Sequence, residues 1–236
     1  MNKIIIALMI MAISFMGFAR DQESNNVFVN MGVSGKLLRN QDYPDNPIDL
    51  SVMVGRFTSD ADEKIICVPV NCSKVLNVIS KNHKLLIIKD MDFDESSPKY
   101  LESFKKKYGG YPDHVFVSSN GGSLFWMQEF NSILEANEIT FVPFGYCMSA
   151  CAFIVADTNA PVMFMPNLNL MLGFHKPYVS SGRQVSSEEQ AVVDITVNFI
   201  MSRFLTPEGM AKFQLTSSNS MYFPSRQEIN KMMQSE

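Results

Sequence analysis

Two short stretches carry the side chains best suited to chemistry. In Gly145-Tyr146-Cys147-Met148-Ser149-Ala150-Cys151, a serine sits among small residues where an apolar run turns helical. Gly173-Phe174-His175-Lys176-Pro177 then brings one of only three histidines, 26 residues after that serine, at the end of the next apolar run. A hydroxyl is a weak nucleophile at neutral pH and needs an adjacent base. An imidazole titrates near neutrality and can be that base. One strand excursion is enough to bring Ser149 and His175 together. A Gly-Gly pair, Gly121 and Gly122, ends an earlier strand, where glycine lets the backbone approach a substrate closely. The N–H of Gly121 or Gly122 and that of Ala150, at the start of a helix with free N–H groups, form a candidate oxyanion pocket. Together these are the parts of an acyl-transfer site: nucleophile, base and oxyanion donors.

Each part also has an ordinary structural role. A lone serine at a helix start is an N-cap. A lone histidine is a satisfied core or rim residue, and a Gly-Gly pair is a turn. Cys147, Cys151 and His175 could also ligate a metal, but a three-residue cysteine gap with a distant histidine matches zinc spacings poorly, so no metal and no cofactor is expected. The residue after Ser149 is alanine, where a nucleophile elbow has glycine. That argues against an α/β-hydrolase.

These residues belong to a chain of 236 residues with 46% hydrophobic content, which suits one domain with a modest extension. Residues 1–19 read as a signal peptide cleaved after Ala19, with Lys3, an apolar core from Ile4 to Met16 and the small-x-small site Gly17-Phe18-Ala19. An uncleaved anchor is the alternative, although the run is short for a bilayer span. Without residues 1–19 the chain holds 19 basic and 24 acidic residues, a net of −5, so nucleic acid is not an expected partner. Lys105-Lys106-Lys107 reads as a solvated helix face. An exported chain, periplasmic or secreted, favours disulfides, and the four cysteines fall into close pairs, Cys67/Cys72 and Cys147/Cys151. Local pairing is the simplest connectivity. A link around a helix start is geometrically demanding, and buried free thiols are the other reading of Cys147 and Cys151.

Residues 20–80 form an N-terminal extension or small β subdomain. Residues 20–48 look loosely structured, Asp49–Phe57 and Lys64–Val70 read as strands, and Ser73–Ser80 as a short helix capped by Ser73. From 81 to 236 the pattern is regular. Strands are expected at 84–89, 114–118, 139–144, 162–165 and 168–174. Helices are expected at 97–108, 123–137, 149–156, 186–204, 207–213 and 225–233. This alternation predicts an α/β domain with a largely parallel sheet, its apolar strands covered by helices on both faces.

Ser118-Ser119-Asn120-Gly121-Gly122 resembles the Ser-Pro-Gly-Gly turn of the Clp protease proteolytic subunit. Gly145-Tyr146-Cys147-Met148-Ser149-Ala150 resembles its Gly-x-Ala-x-Ser-x nucleophile segment, and Phe174-His175-Lys176-Pro177 its apolar-His-x-Pro base segment. A closer likeness is to exported Clp-like proteins with a Cys-x-Ser-Ala-Cys core. The resemblance covers roughly residues 84–234. It implies a Clp/crotonase fold of stacked ββα turns, Ser149 as nucleophile and His175 as base. Its oxyanion donors come from the glycine turn and Ala150. The implied function is a serine hydrolase, serine protease-like, acting on a peptide or protein substrate, with a homo-oligomer compatible. A non-catalytic peptide- or protein-binding member of the same fold is the alternative. A crotonase-type enzyme is disfavoured, because coenzyme A esters are not expected outside the cytoplasm. The ATP-driven Clp chaperone is likewise not expected as a partner. One departure stands out: no Asp or Glu lies between Glu208 and Glu228, where the family's third triad member falls. Asn219, Ser217 or, from elsewhere, Asp194 are the candidates for that role, and a dyad is the remaining option.

Overall fold

A computed structural model describes residues 34–39, 64–67, 75–79, 82–165, 170–178 and 186–234. In chain order the elements are β1 (Lys36–Arg39), β2 (Lys64–Cys67), β3 (Val75–Ile79), β4 (Lys84–Ile88), β5 (Asp92–Phe93), α1 (Ser97–Tyr108), β6 (His114–Ser119), β7 (Gly121–Gly122), α2 (Leu124–Ala136), β8 (Thr140–Met148), α3 (Ala150–Asp157), β9 (Met171–Gly173), α4 (Ser187–Ser202), α5 (Pro207–Gln214), β10 (Ser220–Phe223) and α6 (Arg226–Gln234). The central sheet runs β2-β3-β4-β6-β8-β9. Its β4, β6, β8 and β9 pair in parallel, and β2-β3-β4 pair antiparallel. Two short ladders, β1-β10 and β5-β7, flank it. The chain is therefore an α/β protein with a mostly parallel central sheet. No described helix is long and apolar enough to cross a membrane.

The helices follow from local sequence. Helix α1 carries its lysines outward and ends where Gly109, at φ +73°, turns its N–H back to the Lys105 carbonyl at 2.9 Å. Helix α2 buries Met127, Phe130 and Leu134, an i, i+3, i+7 stripe. A parallel strand pair needs a crossover connection, and α1 and α2 supply those between β4 and β6 and between β6 and β8.

Strand alternation divides the interior. Leu86, Ile88, Val115, Val117 and Phe141 join the helices in the main core, together with the whole of α3 except its last residue. Leu85, Ile87, Phe116, Val142 and Phe144 point to the other face, where they pack with Val78 and Met165, and with Met163 alongside. Among the described residues helices cover the first face, and the Met163–Met165 segment packs on the second. Two apolar faces do not require two helical layers, because any apolar segment can exclude water.

Other expectations also change. Val75–Ile79 is a strand, not part of a helix over Ser73–Ser80. Its β-branched Val78 and Ile79 are paired on both sides, with β2 and β4, and Val75 is paired with β4. Strands β2 and β3 therefore continue the main sheet across residue 80. Residues 36–39, in a stretch expected to be loose, pair with β10, which was not anticipated at all. Of 162–165, only Val162 makes a ladder contact, a single bridge to Phe141. The predicted strand at Asp49–Phe57, the signal segment 1–19 and Cys72 lie outside the described residues.

Candidate active site

Ser149 is set by the end of β8. The β6-β8 ladder shifts register between Val117↔Pro143 and Ser119↔Cys147, so β8 holds two extra residues there. Gly145 takes φ +59° within that bulge. The strand then continues to Met148, well past the expected end at Phe144. Ser149 follows at φ +54°, ψ −122°, a left-handed conformation unusual for serine, and α3 starts at Ala150. Its N–H donates to the Gly173 carbonyl at 2.8 Å, and its carbonyl accepts the Phe153 N–H at 3.1 Å. Although it occupies the N-cap position, its side chain makes no capping hydrogen bond. The sharp strand-to-helix turn of a nucleophile elbow is therefore present without a glycine at 150.

The glycine turn lies against this serine. A Cβ on Gly121 would sit 2.5 Å from Ser149 Cβ and 3.0 Å from its Oγ, so only glycine fits. Gly121 donates its own N–H to Ser119 Oγ at 3.0 Å, which removes it from the oxyanion donors. Strand β7 pairs with β5, with Phe93 opposite Gly122, and the Ser123 N–H goes to the Phe93 carbonyl at 2.8 Å. In a parallel ladder this leaves the Gly122 N–H facing away from β5. Gly122 and Ala150, the first helical residue, are thus the better-placed donors. Ser119 shapes this turn and was missed as a functional residue; its signal was a hydroxyl two positions before a glycine.

His175 lies just beyond the adjacent strand, β9. Parallel pairing of Met148 with Gly173 brings the segment after β9 alongside Ser149. His175 is 7% exposed, and the Tyr178 ring lies beside its imidazole, 5.3 Å between centroids at 34°. Its Nδ1 is 2.7 Å from the Lys176 carbonyl oxygen. A carbonyl only accepts, so Nδ1 carries the proton and Nε2 keeps its lone pair. Burial pushes its pKa below the ordinary 6.5, and the hydrogen bond to the Lys176 backbone offsets this only in part. No hydrogen bond joins the Ser149 hydroxyl to His175.

None of the candidate third members reaches this imidazole. Asp194 accepts from Gln190 Nε2 at 2.9 Å, one turn earlier on α4. Ser217 bonds within its own exposed turn, to Ser220 Oγ at 3.2 Å and to the Asn219 N–H at 3.3 Å. The Nδ1 partner is instead the Lys176 carbonyl. The preceding peptide unit, between His175 and Lys176, is held by Thr216, whose Oγ1 accepts the Lys176 N–H at 2.8 Å and donates to the Phe213 carbonyl at 2.7 Å. Thr216 is the second missed residue. It stands next to Ser217, but it acts on the backbone beside the histidine and not on the ring.

Cys147 and Cys151 are joined by a disulfide, Cα–Cα 5.1 Å, so the local pairing holds for this pair, and its sulfurs are not free thiols or metal ligands. Among the described residues no cluster of three or more His, Cys, Asp or Glu side chains could hold a metal ion. The side chain of Cys67, like all of Cys72, lies outside the described residues. The chain matches no protein-family model and no curated protein.

Proposed function

We propose that this chain is an exported serine hydrolase of Clp/crotonase type, a peptidase using Ser149 as nucleophile and His175 as base. The observation that carries this reading is the backbone of Ser149. The ordinary capping arrangement is an extended residue whose side chain bonds to the helix, as at Thr206 before α5. Ser149 instead holds a strained conformation, costing roughly 1–3 kcal/mol, and keeps its hydroxyl off the cap. In the proposed reaction Ser149 Oγ attacks a peptide carbonyl carbon while His175 Nε2 takes the hydroxyl proton. The oxyanion that forms is met by the Ala150 and Gly122 N–H groups. Collapse breaks the C–N bond as Nε2 returns the proton to the leaving amine, and water hydrolyses the acyl-enzyme by the same steps. The buried disulfide supports an oxidising compartment, and with the sequence of residues 1–19 it supports export.

The alternative is a peptide-binding member of the same fold. It draws support from the missing Ser149–His175 hydrogen bond and from a histidine oriented only by a neutral carbonyl. A fluorophosphonate probe separates the two. Wild-type protein should be labelled at Ser149, and Ser149→Ala should abolish labelling while changing stability by less than about 1 kcal/mol, since no cap bond is lost. Failure of wild-type Ser149 to label at any pH from 6 to 9 leaves the binding reading standing.

A further inference from the structure

The Cys147–Cys151 disulfide brackets Ser149, two residues before it and two after, and both cysteines are completely buried. A disulfide that closes so short a loop removes little freedom from the unfolded chain, so it is a weak device for global stability. What it does enclose is the left-handed Ser149. The hydrogen bonds holding that residue, to the Gly173 carbonyl and from the Phe153 N–H, are backbone bonds that an extended N-cap serine could also make. Gly121 lies against the Ser149 side chain, and its own N–H bonds to Ser119. The disulfide is a covalent link that ties the end of β8 to the first turn of α3 across the serine.

We propose that the disulfide is a positioning clasp: Cys147 and Cys151 hold Ser149 in its left-handed conformation and so keep its hydroxyl available. This rests on the hydrolase reading for its catalytic consequence. Without the clasp, Ser149 relaxes to the extended conformation of an ordinary N-cap. Its Oγ then turns to the N–H of residue 151 or 152, as N-cap hydroxyls do. Cys147 and Cys151 touch no reacting atom in this proposal; they act through Ser149.

The test is the double variant Cys147→Ala/Cys151→Ala in the full chain, with two readouts. The first is the fluorophosphonate reaction, resolved into probe affinity and the rate of the covalent step. The clasp predicts unchanged affinity and a covalent step slowed about 10²-fold, the scale set by misplacing a nucleophile by an ångström. The second is a crystal structure of the variant, in which Ser149 should show negative φ with Oγ bonded to the start of α3. A covalent step at the wild-type rate, or a Ser149 still near φ +54°, overturns the proposal. The crystallographic readout does not depend on labelling. If wild-type Ser149 never labels, the hydrolase reading falls while a flipped Ser149 still upholds the clasp. If the variant does not fold, the native wild-type chain is treated with a phosphine reductant, and species opened at this pair are resolved by mass. Folded, opened species should lose labelling. Equal labelling of opened and closed species, or unfolding as soon as the pair opens, makes the disulfide something other than a clasp.

Discussion

Thr206 and Ser149 both place a hydroxyl residue at a helix N-cap, and the two starts are built in opposite ways. Thr206, before α5, is extended at φ −68°, ψ 161°, and its Oγ1 accepts the Gly209 N–H at 3.0 Å. Around it the polar groups are satisfied. Glu228 Oε1 accepts the Thr206 N–H and hydroxyl at 2.7 and 2.8 Å, and Oε2 accepts from Tyr222 and from the Ser225 N–H and hydroxyl. Ser225 Oγ in turn accepts the Glu228 N–H at 3.3 Å, a reciprocal capping box that opens α6. Ser149, before α3, has the opposite character: strained backbone, unused hydroxyl, and a disulfide where Thr206 has hydrogen bonds. Residue type at a helix start does not separate these two; the positive φ of Ser149 does. The satisfied start is a device for stability. The strained one is tolerated because other contacts hold it, which is the usual condition for strain at a site of chemistry.

The largest effect should come from breaking the satisfied start. Glu228 is fully buried, and Glu228→Ala would strand five donors from Thr206, Tyr222 and Ser225. A loss of about 3–5 kcal/mol in urea unfolding is expected. Burial alone would push this carboxyl up, but hydrogen bonds from Tyr222, Ser225 and Thr206 outweigh it and hold the pKa below the ordinary 4.5. The same burial and the bond to Glu228 push the Tyr222 phenol well above its usual range. For a carboxyl lowered on folding, the stabilisation is complete above the unfolded value of 4.5 and is lost as pH falls through the folded value. Wild-type stability should therefore drop more steeply below pH 4.5 than that of Glu228→Gln, measured by urea midpoints at stepped pH. Parallel curves would mean that Glu228 is not the acid-sensitive group.

The same contrast shows what could be read from residues alone. Helix α1 matched its predicted limits because its sequence signals agree: a proline in the first turn and Gly109 at the stop. The order nucleophile, strand, histidine was readable because short apolar runs between turn residues imply adjacent parallel strands. Val75–Ile79 was misread because a serine before a short apolar run signals a helix cap as well as a strand edge. Pairing with β2 and β4, which is not local, decided it. Strand β10 was missed for the same reason, since its partners β1 and Phe174 are distant in sequence. Ser149, His175 and the glycine turn were singled out by residue type, and the fold brings their segments together. Ser119 and Thr216 were not, because each acts on a backbone group whose position no side-chain pattern encodes.

A smaller effect tests whether a peptide carbonyl can replace the acid. Thr216→Val removes the acceptor for the Lys176 N–H and loosens the backbone of Lys176, the residue whose carbonyl meets His175 Nδ1. Labelling of Ser149 should slow roughly tenfold, about 1.4 kcal/mol in barrier, and Thr216→Ser should restore it. An unchanged rate in Thr216→Val would remove Thr216 from the positioning machinery. The pH profile gives an independent check. Labelling needs neutral His175, and burial lowers its pKa, so the rate should fall only as pH drops below 6.5. A carboxylate partner would stabilise the imidazolium and move the midpoint above 6.5, which would mean that an acid reaches His175 after all.

The smallest expected effect is a difference of sign between the two helix starts. Glycine adopts the Ser149 conformation without strain. It loses up to about 1 kcal/mol of chain entropy relative to alanine, against a strain of about 1–3 kcal/mol relieved. Ser149→Gly should therefore be more stable than Ser149→Ala by about 1 kcal/mol. At Thr206 the backbone is already extended, so glycine relieves nothing and removes both the cap and the bond to Glu228. Thr206→Gly should be less stable than the wild-type chain by about 1–2 kcal/mol. Urea midpoints of the three variants, taken at one pH with the disulfide intact, give the comparison directly. If Ser149→Gly proves no more stable than Ser149→Ala, the Ser149 turn carries no strain. The argument that its hydroxyl is held off the cap for chemistry would then lose its physical basis.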